Sequence, residues 1–82
     1  MAKDMIGKVV HYYDKLGVAV VKLNKKLAVG DKVRLQHGED SFDQEVVSMQ
    51  LDHSPINEGK KGDEVAIKVD QKAKEGTVLK KP

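Results

Sequence analysis

His11, His37 and His53 are the residues best suited to hold a metal or move a proton, and they stand far apart in the chain. None has a second ligand type at a strand or helix offset that would converge on one ion. Ordinary polar roles on strands and loops follow. Asp52-His53-Ser54 contains the residue types of a serine triad, but triad members are neighbours in space rather than in sequence. Asp40-Ser41-Phe42-Asp43 lacks the glycine and closing glutamate of a calcium loop. A phosphate-cradling loop needs a glycine, four residues and then Gly-Lys-Ser/Thr, so that backbone amides wrap the phosphates. Gly7-Lys8 and Gly59-Lys60 have neither the upstream glycine nor the following hydroxyl, and Asn24-Lys25-Lys26-Leu27 lacks the aspartate that would read guanine. The expectation is a non-enzymatic chain with no cofactor, no metal and no nucleotide binding.

The basic residues are the remaining chemical signal. All but one of the 15 are lysines, and the net charge is only +2. Distribution therefore matters more than the total. Lys8, Lys22, Lys32 and Arg34 fall at strand positions, Lys25 and Lys26 in a turn, and His11 and Tyr12 lie close by. Together they are candidate nucleic-acid contacts, cations tracking phosphates beside rings on which bases stack. The plainer alternative is a solvated surface with lysine on every side. Tyr13, Leu16 and Met49 are candidate protein contacts.

These side chains need a scaffold, and the chain is short. Its 82 residues make one domain, 1–82, with a strand core over about residues 5–80. A chain of this size buries only about 60% of its unfolded surface. With 39% hydrophobic and 34% charged residues it is neither disordered nor membranous, and without cysteine it depends on packing alone. Met-Ala-Lys-Asp at the start has no apolar signal core, and Val18 to Val21 is too short to span a bilayer. A cytoplasmic protein with no membrane partner is expected, its first four and last two residues forming tails.

Leu27 to Leu35 organises the rest. Gly30 can take positive φ, Asp31 can bond its own backbone, and then Lys32 and Arg34 alternate with Val33 and Leu35. Before it, Met5 to Tyr13 and Val18 to Leu23 read as a hairpin across Asp14-Lys15-Leu16-Gly17, with Gly7 marking a bulge or a close backbone approach. After it, Phe42 to Leu51 reads as one long strand whose inward face shifts near Val46-Val47. Asp52 to Gly62 is the longest break in the pattern. Glu64 to Asp70 alternates with Val65, Ile67 and Val69 inward, Gln71 to Gly76 could hold a turn of helix, and Thr77 to Lys80 closes the chain. Six strands without a useful helix indicate an all-β fold, a small closed six-stranded barrel that hides its edges.

Four stretches carry a resemblance. Ile6-Gly7-Lys8-Val9, Leu27-x-Val29-Gly30-Asp31-x-Val33, Glu58-Gly59-x-x-Gly62-Asp63-x-Val65-x-Ile67 and Glu75-Gly76-x-Val78-Leu79, in order, resemble the β-barrel second domain of translation GTPases of the elongation factor Tu class. Gly7-x-Val9-x-x-Tyr12-Tyr13 and Val29-Gly30-Asp31 are also similar to the C-terminal module of U32 peptidases. The first resemblance implies a barrel of the translation-protein type contacting RNA, either tRNA or ribosomal, or another translation component, without a GTPase domain. Ser48, Met49 and Gln50 stand where that family has its charged pair for the tRNA end. The second resemblance implies the alternative, a docking module for a U32-like peptidase or GTPase partner.

Overall fold

A computed structural model describes residues 5–82, so the expected N-terminal tail over the first four residues lies outside the described residues. Ten strands form, all antiparallel to their neighbours: β1 (Met5–Tyr13), β2 (Val18–Leu23), β3 (Leu27–Ala28), β4 (Lys32–His37), β5 (Asp40–Glu45), β6 (Met49–Leu51), β7 (Ser54–Ile56), β8 (Glu58–Gly59), β9 (Glu64–Lys68) and β10 (Val78–Lys80). Eight of them make one sheet in the order β5-β4-β10-β1-β2-β9-β6-β7, and β3 pairs with β8 separately. No helix forms among the described residues, and none is long and apolar enough to cross a membrane. The fold is all-β.

Alternation explains which face turns inward. Val9, Ala19, Val21, Leu23, Val33, Leu35, Val65, Ile67 and Leu79 all lie on the concave side and are buried, joined by Leu27, Val46, Met49 and Val69 in one aliphatic core. The β-branched residues suit a pleated, half-buried surface. Ala73 is buried as well, so the 70–77 segment folds over one end of the core as an irregular loop rather than the expected turn of helix.

The closed six-stranded barrel is not what the pairing produces. The sheet order has two ends, β5 and β7, and no ladder joins them among the described residues. The gap beside β5 is crossed by a side chain instead. Gln44, 8% exposed, donates to the Lys68 carbonyl at 2.8 Å and accepts from the Asp70 amide at 2.9 Å. One amide group thereby satisfies a backbone acceptor and a backbone donor that a neighbouring strand would otherwise pair.

The x-x-Gly-Asp motif recurs for a local reason. At Ala28-Val29-Gly30-Asp31, Gly30 has φ 98°, the Asp31 amide donates to the Ala28 carbonyl, and Asp31 Oδ2 accepts from the Ala28 amide at 3.0 Å. At Lys60-Lys61-Gly62-Asp63 the same bonds recur, with Gly62 at φ 93° and Asp63 Oδ2 accepting from the Lys60 amide at 3.0 Å. Both are turns whose third residue must have positive φ, and each aspartate locks its own turn.

Two expectations about strands are corrected. The long strand over Phe42 to Leu51 is two strands, β5 and β6, because Val47 and Ser48 swing out between buried Val46 and buried Met49, leaving Val47 60% exposed. The break over Asp52 to Gly62 contains a hairpin. Leu51 pairs with Ser54, and Asp52 and His53 between them both have positive φ, 52° and 65°. Two positive φ values in a two-residue loop belong to the turn that favours Asn-Gly. Replacing Asp52-His53 by Asn-Gly is expected to stabilise the protein by about 0.5–1 kcal/mol. Urea denaturation checks this, and an unchanged midpoint would show that the turn carries no strain.

Candidate functional site

The register between strands fixes what the convex face of β1, β2 and β9 presents. Three rows cross it: Lys8, Lys22 and Glu64; then His11, Val20, Ala66 and Gln50; then Tyr13, Val18 and Lys68. A register shift between Val9 and His11 leaves Val10 without a partner on β2. Such a bulge turns successive residues toward one side. Val10, Val18, Val20 and Ala66 are half-buried on this outer face, although the concave face already supplies the core. Tyr13 is 49% exposed and Leu16, on the β1–β2 turn, 68% exposed. The result is a continuous apolar strip ending in an aromatic ring and a leucine, edged by Lys8, Lys22, His11 and Lys68.

Local geometry holds the end of this strip in place. The amides of Leu16 and Gly17 both donate to the Tyr13 carbonyl, Gly17 takes φ 63°, and its carbonyl accepts from the Val69 amide at 2.9 Å. Leu16 is thus presented on a closed turn tied to the segment after β9. The rings of His11 and Tyr13 lie 6.2 Å apart at 33°, and His11 Nδ1 is 3.5 Å from a Glu75 carboxylate oxygen.

The structure separates the residues singled out in the sequence. Tyr13 and Leu16 share the exposed strip. Met49 does not, being 1% exposed in the core, and is removed as a protein contact. Its inward position follows from the pairing of Met49 with buried Ile67 on β9. Tyr12 faces the opposite side from His11 and Tyr13 and packs against the core, so His11 and Tyr12 do not share one face. The outer row of Val18, Val20 and Ala66 was missed from the sequence. Its signal was the presence of apolar residues at both parities in β2.

The basic candidates fall in two groups and on β4. Lys8 and Lys22 are cross-strand neighbours, with Glu64 beside Lys22. Lys25, Lys26 and Lys32 meet Lys81 around Asp31 in a separate open cleft. Within it Lys26 Nζ lies 2.9 Å from Glu58, whose hydrogen bond raises the lysine's pKa above its ordinary value. Arg34, opposite Asp43 in register, grips that carboxylate through Nε at 2.7 Å and Nη2 at 3.2 Å. The same guanidinium hydrogen bond holds the Asp43 carboxyl below the usual carboxylate range, so this pair's contribution is present above the unfolded pKa and fades as pH falls through the folded one. Exposure keeps it small. Of these candidates, Lys26 and Arg34 each have a carboxylate partner, which reduces the charge they present to an anion.

Comparisons with known proteins sharpen this picture. No family model matches the chain. An uncharacterized protease of Methanocaldococcus jannaschii is 36% identical over 75 residues, 90% of this chain, and the matched part is 18% of that protease. Two crystal structures of the C-terminal domain of a Geobacillus thermoleovorans protein described as a U32 peptidase superpose with TM-scores of 0.92 and 0.90 at 19% and 20% identity. They cover 100% and 96% of this chain, and this chain covers 96% and 100% of them. The expected translation and elongation-factor role is corrected by these matches, which lead to a peptidase domain instead. The four shared stretches mark turns and inward strand positions, which unrelated small β domains also need. At these identities the superposition shows architecture, and the chain has the fold of that peptidase's C-terminal domain.

Proposed function

We propose that this chain is a non-enzymatic docking module for a peptidase of the U32 type, with the outer strip of Tyr13, Leu16, Val18 and Val20 as its contact surface. The observation that carries the reading is the protease match, in which 90% of this chain aligns with under a fifth of a much longer protein. A module of this size beside a large remainder is suited to positioning rather than chemistry. The fold match to a peptidase C-terminal domain supports the same reading. His11 lies on β1, His37 on β4 and His53 in the turn between β6 and β7, a dispersion that favours a binding role over a catalytic one. The exposed strip supplies the recognition chemistry, since a rigid aromatic and a neighbouring leucine are good anchors when desolvated. A cytoplasmic setting fits the chain without cysteine.

The test is isothermal titration of this chain into a U32-type peptidase, intact and with its own C-terminal domain removed. Binding to the truncated form is expected, together with weaker binding to the intact form, whose own domain competes for the same site. Combining Leu16→Glu with Tyr13→Ala is expected to weaken binding by at least about tenfold, or roughly 1.4 kcal/mol. Equal affinity of the variant would remove the strip as the contact surface. Absence of binding to either form would remove the docking reading.

A further inference from the structure

The β4–β5 hairpin and the 70–77 loop enclose a groove of about 390 Å³ at the end of the sheet where Ala73 covers the core. Its floor is Leu35, Phe42 and Thr77, and its far wall carries Lys72 and Lys74. Thr77 is 2% exposed, yet its Oγ1 has no hydrogen-bond partner. A buried hydroxyl left unpaired is costly, so such an atom in the groove floor marks a place where a ligand group fits.

The local pattern makes Thr77 more pointed. Lys74-Glu75-Gly76-Thr77 repeats the turn of the two Gly-Asp motifs: Gly76 has φ 92°, and the Thr77 amide donates to the Lys74 carbonyl at 3.0 Å. Asp31 and Asp63 occupy the equivalent position and spend their side chains on their own turns. Thr77 does not. Its turn neighbour Glu75 is drawn away to His11, and Lys72 and Lys74 form no ion pair among the described residues.

The other wall is a strand edge. β5 pairs only with β4, and the two-residue loop Gly38-Glu39 makes His37 and Asp40 the closing pair. In that register the hydrogen-bonded pairs are His37 with Asp40 and Leu35 with Phe42, so the backbone groups of Ser41 point away from β4 toward the groove. Lower down, Gln44 bridges the gap and closes it. The opening is confined to the hairpin end.

We infer that this groove binds the C-terminal carboxylate of a peptide whose last side chain is apolar. The carboxylate lies between Lys72 and Lys74 and accepts a hydrogen bond from the Thr77 hydroxyl. The terminal side chain rests on Phe42 and Leu35, and the peptide backbone pairs with the open edge at Ser41, in the manner of strand addition. Asp40, also on the groove wall, would repel a free anion but can accept from a peptide N–H. A peptide end therefore fits better than an isolated phosphate. The groove is formed by this chain alone and does not depend on a peptidase partner.

The experiment is a backbone-amide NMR titration of the 82-residue chain with N-acetylated glycyl-valyl-leucine as the free acid, the same peptide as its amide, inorganic phosphate, and 4-methylpentanoate. The free acid is expected to shift Ser41, Phe42, Lys72, Lys74 and Thr77, with the amide and the other two probes weaker by at least about tenfold. Combining Lys72→Gln with Lys74→Gln is expected to remove the preference for acid over amide. Thr77→Val, an isosteric change, is expected to raise the melting temperature while weakening the acid. Shifts elsewhere, equal binding of acid and amide, or a phosphate or 4-methylpentanoate as tight as the peptide would each overturn the inference. Unchanged binding by Thr77→Val would do so as well.

Discussion

Replacing Gly7 by alanine is expected to destabilise the protein by about 1–3 kcal/mol, the range for forcing extra atoms into a packed site. A Cβ at this position would sit 2.7 Å from the Lys22 carbonyl oxygen, 2.7 Å from Val21 Cγ1 and 3.3 Å from Leu23 Cδ2. The first of these contacts is backbone and cannot rotate aside. Gly7 also pairs with Leu79 on β10 and with Leu23 on β2, next to a register shift between Met5 and Gly7, so the strand is held on both edges. At roughly 4–8 °C per kcal/mol for a domain of this size, the melting temperature should fall by on the order of 10 °C. Gly38→Ala is the control. Gly38 has φ 62° with nothing within 4 Å of its would-be Cβ, so only the left-handed backbone is penalised, at about 1 kcal/mol. Thermal melts of both variants compare the two effects. A Gly7→Ala protein as stable as the wild type would mean that β1 and β2 do not approach this closely.

The second large effect belongs to Gln44. Gln44→Ala leaves the Lys68 carbonyl and the Asp70 amide without their side-chain partner, and opens a small cavity beneath β5. An unsatisfied buried group costs about 1–3 kcal/mol, so a total loss of about 2–4 kcal/mol is expected. Gln44→Glu gives the same site a pH signature. A carboxylate can still accept from Asp70, but faces the Lys68 carbonyl with no proton to donate. The protonated form is therefore favoured in the folded protein, which raises the folded pKa above the unfolded value of about 4.3. Stability of this variant is expected to be fullest below that value and to fall as pH rises through the folded pKa, while the wild type shows no such loss there. Denaturation at acidic and neutral pH checks the sign. Equal destabilisation at both would show that Gln44 does not span the gap.

The two sites also bear on the binding groove. Gln44 closes the space between β5 and the end of β9, and beyond it the space widens toward Ser41 and Lys72. A denaturation midpoint lowered by Gln44→Ala would thus come from the seam that defines one end of the groove. Gly7 pairs with Leu79 on β10 and Leu23 on β2 and lines no part of the groove.

Much of the strand content was legible in the sequence because alternation records burial directly. Val65, Ile67 and Val69 are all inside, as Glu64 to Asp70 reads, and Gly30 and Asp31 form the turn that their side chains favour. These are local facts, fixed by residues that touch their own neighbours. The positive φ values at Asp52 and His53 were not legible, because neither residue is a glycine and tertiary pairing of Leu51 with Ser54 imposes the turn. Met49 could not be sorted from Tyr13 and Leu16 either. All three are large and apolar, and only the register with Ile67 sends Met49 inward.

By itself the sequence determined an all-β chain, its hairpin across Leu16, its Gly-Asp turns and its lack of cysteine chemistry, since each depends on residue types a few positions apart. Tertiary structure decided the rest. Whether the sheet closes depends on what lies beside β5, and there a single glutamine side chain meets a segment 24 to 26 residues away. The outer apolar strip exists because β1, β2 and β9 are adjacent, and the groove because the β4–β5 hairpin comes to rest against a loop that follows β9. Long-range register sets those adjacencies, and no periodicity within a single strand encodes it.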